Sequence, residues 1–198
     1  MHSESLELRT PLDSSDIKKL HAGNVVYLTG TILTARDAAH ARLVEADPSD
    51  LPHSLVEALS HGVIYHCGPV VRTRDDGSHE IIAAGPTTSA RMNAVQQEVM
   101  EKFDIVAIVG KGGMHGVDFP SVNGAYLAFI GGAALLASNA ITGVIGVEWL
   151  DDLGAPEAAW ILAIDRFGPL VVAQDCHGMD LYRDVVSRAK MQLDKSSP

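Results

Sequence analysis

The chain has 198 residues, of which 46% are hydrophobic and 20% charged, and its formal net charge at pH 7 is −10. This composition is typical of one globular domain, predicted to span residues 1–198 with a frayed tail at about 194–198, and it excludes an intrinsically disordered chain. The acidic surface would repel the phosphates of nucleic acid, and no basic run compensates for it, so we expect no nucleic-acid partner.

The first half of the chain is predicted to alternate short strands and helices. Strands are expected at residues 6–9, 24–29 and 63–67, and helices at 13–20, 35–46 and 54–60. The first helix has candidate N-cap oxygens within residues 13–16. Residues 70–73 and 80–84 are expected to form a hairpin around the turn at 75–77.

The second half continues this alternation. Helices are expected at residues 88–102, 121–129, 133–138 and 181–193, and strands at 105–109, 141–150, 159–164 and 170–173. Strands and helices alternate without a strict βαβ rhythm, and a hairpin interrupts them. We therefore predict an α/β fold, a single domain with a mixed sheet.

Neither a signal peptide nor a membrane span is predicted. The first residues are polar, and Gly, Asn or charged residues interrupt each apolar stretch before the ~18 residues that a span needs. The two cysteines, Cys67 and Cys176, lie far apart, and nothing in the sequence requires them to pair. We expect a cytoplasmic protein with reduced thiols and no contact with a membrane.

The same two cysteines limit which cofactor the chain can hold by itself. A protein-bound [4Fe–4S] cluster normally needs three or four Cys ligands, so such a cluster would have to lie on a partner. The nine His residues suggest zinc, but His61 and His66 fit no standard ligand spacing and no His-Glu-x-x-His motif occurs. No metal site is therefore predicted.

Polar residues follow the strand predicted at 24–29, where a helix begins. Arg36 and Asp37 lie in the first helical turn, and the helix dipole disfavours a cation there. An anion bound by both the helix end and the guanidinium would explain Arg36. A surface arrangement of Arg36 with Asp37 is the alternative.

A second group of polar residues occupies the run GPTTSARM at residues 85–92. Thr87, Thr88 and Ser89 crowd hydroxyls at a predicted helix N-terminus, with Arg91 one turn away, which is a pattern for binding an anion. One of the three hydroxyls is expected to cap the helix, and a cap alone is the alternative interpretation.

A third candidate is Lys111, which lies among three glycines directly after the strand predicted at 105–109. Glycine neighbours allow the backbone to approach a ligand closely. The spacing does not match a phosphate-binding P-loop. A flexible turn with a solvated Lys is the alternative.

Taken in order, these motifs resemble one family. The runs are TARDAAH at 34–40, CGP at 67–69, GPTTSARM at 85–92, GKGGM at 110–114, GGAA at 131–134, LGAPE at 153–157 and FGP at 167–169. Together they resemble the β subunit of class I, iron–sulfur-dependent fumarate hydratase and L-tartrate dehydratase. The resemblance spans about residues 6–182.

The resemblance implies a swivelling β/β/α fold and a hydro-lyase acting on a small dicarboxylate. It also implies a partner α subunit that holds the [4Fe–4S] cluster through three cysteines, while this chain alone binds no cofactor. The roles of the site residues are implied in the same way. Thr87 would transfer the proton, and Arg36, Thr88, Arg91 and Lys111 would bind the substrate.

Three functions stay open at this point. Fumarate hydratase is favoured because the run TARDAAH is nearer to fumarase versions. L-Tartrate dehydratase is an alternative, since residues 167–169 and 175–178 are somewhat closer to tartrate versions. A non-catalytic dicarboxylate-binding or regulatory module is a third, although the motifs have lost no Arg or Lys. The sequence also leaves open whether two such chains form a β–β homodimer.

Overall fold

The computed structural model describes residues 5–196. Within them the strands are β1 Leu6–Arg9, β2 Val25–Thr34, β3 Val63–Tyr65, β4 Val70–Thr73, β5 His79–Ala83, β6 Ala107–Gly110, β7 Ala125–Ala128, β8 Ile141–Glu148 and β9 Ala159–Gln174. The α-helices are α1 Ser14–Lys18, α2 Asp37–Glu45, α3 His53–Leu59, α4 Gln96–Phe103, α5 Ala134–Asn139, α6 Leu150–Leu153 and α7 Leu181–Ser196. Short 3₁₀ helices lie at Pro48–Asp50 and Ser89–Met92.

Strand β2 is the centre of the sheet. It pairs in parallel with β1 and, further along, with β3, and it pairs antiparallel with β9 along most of its length. Strands β3, β6 and β7 continue the parallel part, and β9 closes the circuit by pairing with β7. The strands β2, β3, β6, β7 and β9 thus form a barrel-like mixed sheet, which confirms the predicted single α/β domain.

The hydrophobic core occupies both faces of this sheet because successive side chains of a strand point to opposite faces. In β6, Ala107 and Val109 belong to the inner cluster, which also contains the fully buried Trp160. Ile108 between them belongs to the outer cluster, where helices α2, α3 and α4 cover the sheet. This outer helical layer lies next to the strand ends that carry the predicted site residues.

The prediction of a helix at residues 121–129 is wrong. A turn there includes Asn123 with φ of 45°, and β7 then pairs with β6 on one side and β9 on the other. Ala and Leu favour a helix by intrinsic propensity, but Ala125, Tyr126 and Leu127 are fully buried between these strands. Burial and pairing on both sides therefore override propensity.

The helix predicted at 88–102 is divided into two pieces. The side chain of Asn93 accepts the backbone N–H of His115 at 3.0 Å, and Val95 has φ of −124°, outside the helical range. The 3₁₀ helix therefore ends before α4 begins. In contrast, the strands predicted at 159–164 and 170–173 are one strand, since shifts of register with β2 accommodate the Gly168–Pro169 step.

Three smaller predictions in the first half of the chain are confirmed. Strand β1 and the β4–β5 hairpin form as expected, and Asp13 caps α1 through the backbone N–H groups of Ser15 and Asp16. In contrast, the tail predicted at about 194–198 is helical as far as Ser196, where α7 ends, and residues 197 and 198 lie outside the described residues. Among residues 5–196, no helix has the length and apolar character needed to cross a membrane.

Candidate active site

Three parallel strands bring the predicted site residues to one edge of the sheet. Arg36 comes two residues after β2, Lys111 directly follows β6, and β3 between them continues into His66. The backbone N–H of His66 donates to the carbonyl of Val109 at 2.8 Å, so the ladder extends beyond the strand. The carboxyl ends of parallel strands are the usual place for ligands in α/β proteins.

A short extended segment crosses this edge and joins the ends of β3 and β6. The N–H of Thr87 donates to the carbonyl of His66 at 2.7 Å, and the carbonyl of Thr87 accepts the N–H of Lys111 at 3.3 Å. The N–H of Ser89 then donates to the carbonyl of Lys111 at 3.0 Å. As a result Thr88 pairs with Lys111 as in a parallel ladder. Backbone hydrogen bonds thus bring Thr87, Thr88 and Lys111 together.

The predicted helix end at this segment has a different structure. The helix that follows Thr88 is a 3₁₀ helix of four residues, and Thr88 makes no side-chain capping hydrogen bond. The hydroxyl of Ser89 is buried and directed at another side chain. The prediction that one of the three hydroxyls caps a long helix is therefore wrong, and a helix dipole does not contribute to binding an anion here.

Arg36 passes over Gly68 and pairs with Glu157. Its Nη2 lies 3.2 Å from Oε1 of Glu157, while Oε2 of Glu157 accepts the N–H of Ala38 at 3.0 Å. The distance from Arg36 Nη2 to Asp37 Oδ2 is longer, at 4.0 Å. The buried Nε of Arg36 has no hydrogen-bond partner within the described part of the chain. The closer partner of Arg36 is therefore Glu157 rather than Asp37, and the guanidinium retains an unused donor.

Arg91 binds the side chain of Asp37 through two contacts. Its Nε donates to Oδ1 at 3.0 Å, and its Nη2 lies 2.8 Å from Oδ2. This contact with a carboxylate combines one hydrogen bond with one ion pair, because Asp37 Oδ2 accepts no hydrogen bond among the described residues. It does not use Nη1, and half of the Arg91 side chain is exposed. Asp37 thereby joins the segments that carry Arg36 and Arg91.

The remaining predicted side chains are accessible at the same edge. The side chain of Lys111 extends past Gly131, where an added Cβ would lie 3.8 Å from Lys111 Cδ. Lys111 and Thr87 are half-buried, and Thr88 and Arg91 are exposed. The structure therefore brings all five predicted residues to one edge, and their roles toward a substrate stay predictions.

The local charge at this edge is opposite in sign to the net charge of the whole chain. The cations Arg36, Arg91 and Lys111 stand against the carboxylates of Asp37 and Glu157, which leaves a local excess of positive charge. The formal charge of the whole chain is −10. An anionic ligand therefore meets a locally favourable site on an otherwise repelling surface.

A chain of buried polar side chains lies directly beneath the edge. The side-chain amide of Gln96 is 2.9 Å from Nε2 of His40 and 2.8 Å from Nε2 of His66. Nδ1 of His66 is 2.8 Å from Oγ of Ser89, which is 3.0 Å from the hydroxyl of Tyr126. All five side chains are fully buried. They join helices α2 and α4 to β7 and to the segments that carry Arg36 and Thr87.

Burial lowers the pKa of both His40 and His66. Hydrogen bonds and the nearby Asp37 and Glu157 partly oppose this shift at His40, whereas His40 itself adds to the shift at His66. The unfolded chain, with an ordinary His pKa near 6.5, then binds more protons than the folded chain as the pH falls. Stability therefore decreases below about pH 6.5.

We expect the free energy of unfolding to fall by up to about 1.4 kcal/mol per pH unit for each of these two imidazoles. Urea unfolding of the chain at pH 7.5, 6.5 and 5.5 measures the effect. The variant His53→Gln, at an exposed position, is the matched control and should show the same loss. Equal stability at pH 7.5 and 5.5 would contradict neutral buried imidazoles.

The cysteines do not extend the site toward a metal. Cys67 and Cys176 are both free, and burial raises the pKa of the Cys67 thiol to about 12, so that it stays protonated. Over residues 5–196, no group of three or more His, Cys, Asp and Glu side chains is arranged to hold a metal ion. The described residues of this chain therefore do not fit a [4Fe–4S] cluster.

The sequence did not reveal every residue that shapes this edge. The missed residues, which bind or support the predicted ones, are Asp37, His40, His66, Ser89, Gln96 and Glu157. Asp37 and His40 lie within the run TARDAAH, so the motif contained a signal for them. Glu157 is the last residue of the run LGAPE, although that run did not indicate a contact with Arg36. Gln96 carries no such signal, since only the folded chain brings it to the site.

Fold and site together define a single-domain α/β protein with a locally positive edge at the ends of parallel strands. A family model described as fumarase C-terminus matches residues 1–185, which is most of the chain. The chain therefore belongs to the fumarase C-terminus family, a family of hydro-lyases.

Named relatives agree with this assignment. A protein of Methanocaldococcus jannaschii, described as a candidate L(+)-tartrate dehydratase subunit beta, is 43% identical over 93% of this chain and 94% of its own length. The L(+)-tartrate dehydratase subunit beta of Escherichia coli is 34% identical over 96% of this chain and 92% of its own length. A candidate class I fumarate hydratase of Geobacillus stearothermophilus is 40% identical over 97% of this chain but only 36% of its own length.

Proposed function

We propose that this chain is the β-type subunit of a two-subunit hydro-lyase that interconverts fumarate and L-malate. Its partner is an α subunit that carries the [4Fe–4S] cluster, which supplies a Lewis acid to the reaction. The names of two relatives as β subunits support such a partner. The free thiols support a cytoplasmic location. Pairing of two copies of this chain stays a prediction.

The observation that carries the proposal is the meeting of three cations and one hydroxyl at a single edge. Arg36, Arg91 and Lys111 come from three separate segments, and backbone hydrogen bonds hold Thr87 beside Lys111. A dicarboxylate needs positive groups for both of its ends, and fixed positive groups also stabilise negative charge that develops next to a carboxylate during proton transfer.

In this proposal Arg36 and Arg91 bind the carboxylates and Lys111 offsets the developing charge. Thr87 moves the proton on the carbon next to the one that gains or loses the hydroxyl. A Thr hydroxyl is a weak base in water, so it needs neighbouring positive charge to lower its pKa. Lys111 and Arg91 are the groups of this chain that would supply that charge.

Asp37 supports the same interpretation, because its carboxylate already contacts Arg91 through one hydrogen bond and one ion pair. The two contacts of 3.0 and 2.8 Å use Nε and Nη2 of Arg91 and leave Nη1 for a second carboxylate. Asp37 thus orients the guanidinium before a substrate binds. A preoriented donor costs less conformational entropy at the moment of binding.

L-Tartrate dehydration is the second candidate, and the relatives from M. jannaschii and E. coli favour it by their names. Tartrate and malate differ by one hydroxyl, so the same cations serve both substrates. A non-catalytic dicarboxylate-binding module is the remaining alternative, which differs in having no turnover in any mixture.

An anaerobic assay of reconstituted subunits tests the proposal. This chain is mixed with the cluster-loaded α subunit of its own organism, and kcat/KM is measured for fumarate, L-malate and L-tartrate. We expect turnover only in the mixture, with fumarate as the better substrate. Turnover by this chain alone would refute the division of roles, and a preference for L-tartrate would select the second candidate.

A single glycine tests the role of Arg36. A Cβ at Gly68 would lie 2.6 Å from Nη1 of Arg36, 2.8 Å from Cδ of Arg36 and 2.6 Å from the backbone carbonyl oxygen of Pro156. Gly68→Ala must therefore displace the Arg36 side chain together with the loop that carries its partner Glu157. Loss of one charged contact, worth about 1.5–3 kcal/mol, should raise KM roughly 10- to 100-fold in the mixture. The control is Gly143→Ala, where no atom of the described residues lies within 4 Å of the added Cβ. An unchanged KM in Gly68→Ala would remove Arg36 from the site.

A further inference from the structure

The observed positions of the buried polar side chains under the site require an unfavourable placement of hydrogen atoms. In the observed arrangement it is Oε1 of Gln96 that faces Nε2 of both His40 and His66. An oxygen only accepts hydrogen bonds, so each imidazole would have to carry a proton on Nε2. Nδ1 of His40 also faces an acceptor, the backbone carbonyl of Arg36 at 2.8 Å.

His40 would then carry protons on both ring nitrogens and be a cation. It is fully buried and makes no ion pair among the described contacts, although Asp37 and Glu157 lie near enough to favour its charge. In the same arrangement the buried Nε2 of Gln96 has no hydrogen-bond partner among residues 5–196. A buried cation and an unused buried donor are both costly.

Rotation of the Gln96 amide by 180° removes both costs. The two hydrogens of its NH₂ group then point at Nε2 of His40 and Nε2 of His66, which accept them as neutral imidazoles. Nδ1–H of His40 donates to the carbonyl of Arg36, and Nδ1–H of His66 donates to Oγ of Ser89. The amide oxygen, rather than the amide nitrogen, is left without a partner, and an unsatisfied acceptor is the less unusual of the two.

We propose that Gln96 is a positioning residue whose amide donates to both His40 and His66 and thereby holds the Arg36 segment at a fixed separation from the segment of Thr87 and Ser89. This inference deepens the proposed function and rests on it for the catalytic consequence. One imidazole separates Gln96 from each of the two segments. The His40 ring hydrogen-bonds the backbone carbonyl of Arg36. The His66 ring hydrogen-bonds Ser89, and the backbone carbonyl of His66 accepts the N–H of Thr87 at 2.7 Å.

The orientation of the amide is tested on the isolated wild-type chain. A long-range ¹H–¹⁵N NMR spectrum of the His side chains at pH 7.5 distinguishes the two neutral tautomers from the cation. We expect His40 and His66 to be neutral with the proton on Nδ1. A proton on Nε2 of both rings, or a cationic His40, would overturn the inference. This result does not depend on any enzymatic activity.

The positioning role is tested with Gln96→Met, which keeps the side-chain volume and removes both donors. The matched control is Val99→Ala, a buried position on the same helix outside the polar chain. In the ¹H–¹⁵N backbone spectrum we expect Gln96→Met, and not Val99→Ala, to shift the amide signals of Arg36, Thr87 and Ser89. Unshifted signals in Gln96→Met would contradict a positioning role.

In the assembled complex, Gln96→Met should lower kcat at least tenfold, whereas Val99→Ala should stay within about threefold of wild type. An equal loss in both variants would indicate a merely structural role and overturn the inference.

Replacement of Gln96 by Glu adds a further check, because a carboxylate accepts hydrogen bonds but does not donate them. Gln96→Glu should therefore show the same loss of kcat as Gln96→Met, and wild-type turnover in Gln96→Glu would show that the amide oxygen of Gln96 faces the imidazoles.

A complex that turns over no dicarboxylate would refute the proposed function. The NMR results would still decide the orientation of the Gln96 amide and its positioning role.

Discussion

Thr87→Val is expected to reduce kcat of the assembled complex by about 10²–10⁴-fold, which is the usual contribution of a positioned acid–base group. Valine keeps the shape of threonine and removes only the hydroxyl. The backbone hydrogen bonds of Thr87 with His66 and Lys111 involve main-chain atoms and remain available. KM should therefore change by less than about threefold, since the cations that bind the carboxylates stay in place.

Two further variants make this result specific to the hydroxyl. Thr87→Ser retains the hydroxyl and should recover much of kcat. Thr73→Val removes an exposed hydroxyl from the β4–β5 hairpin, which hydrogen-bonds only His79 among the described contacts, and should leave kcat unchanged. Wild-type kcat in Thr87→Val would remove Thr87 from the reaction.

Arg91→Ala is expected to lower kcat/KM by roughly 10²–10³-fold. A hydrogen bond to a charged group contributes about 1.5–3 kcal/mol, and this variant loses the bond from Nη1 of Arg91 to the substrate carboxylate. The change also leaves Asp37 without its partner beside Arg36, which adds repulsion toward an anionic substrate. The side chain of Arg91 is half exposed, so the loss of packing is small and the chain should fold normally.

The matched control for Arg91 is Arg72→Ala on the exposed β4–β5 hairpin, where Arg72 pairs with Glu80. It removes the same charge from the chain and should leave kcat/KM within about twofold. A comparable loss in both variants would mean that kcat/KM depends on the overall charge of the chain and not on the specific contacts of the Arg91 guanidinium. Circular dichroism and the midpoint of urea unfolding establish that both variants are folded.

The outline of the site was predictable because its signals are local. The apolar strand at 105–109 and the glycines after it indicated that Lys111 follows a strand, and the structure places it at the end of β6. The hydroxyl-rich run at 85–92 indicated an anion-binding helix N-terminus, although only a short 3₁₀ helix forms there. Arg36 was singled out because a cation is unusual in the first turn of a helix, although the structure places it at the N-cap that precedes α2. Each of these inferences needed only neighbours in the sequence.

The parts that failed depend on contacts between distant residues. The helix predicted at 121–129 became β7 because pairing with β6 and β9 outweighs the helix propensity of Ala and Leu. The partner of Arg36, Glu157, comes from a loop more than a hundred residues away, and the amide of Gln96 reaches the site only because α4 packs under it. No local pattern carries information on such pairs.

The most direct measurement of the central claim is a crystal structure of the assembled complex with a bound dicarboxylate, prepared without oxygen. The account requires guanidinium nitrogens of Arg36 and Arg91 and the ammonium of Lys111 to lie within about 2.7–3.2 Å of substrate oxygens, with the Thr87 hydroxyl next to the carbon that exchanges its proton. A dicarboxylate bound elsewhere, with these four side chains facing solvent, would contradict it.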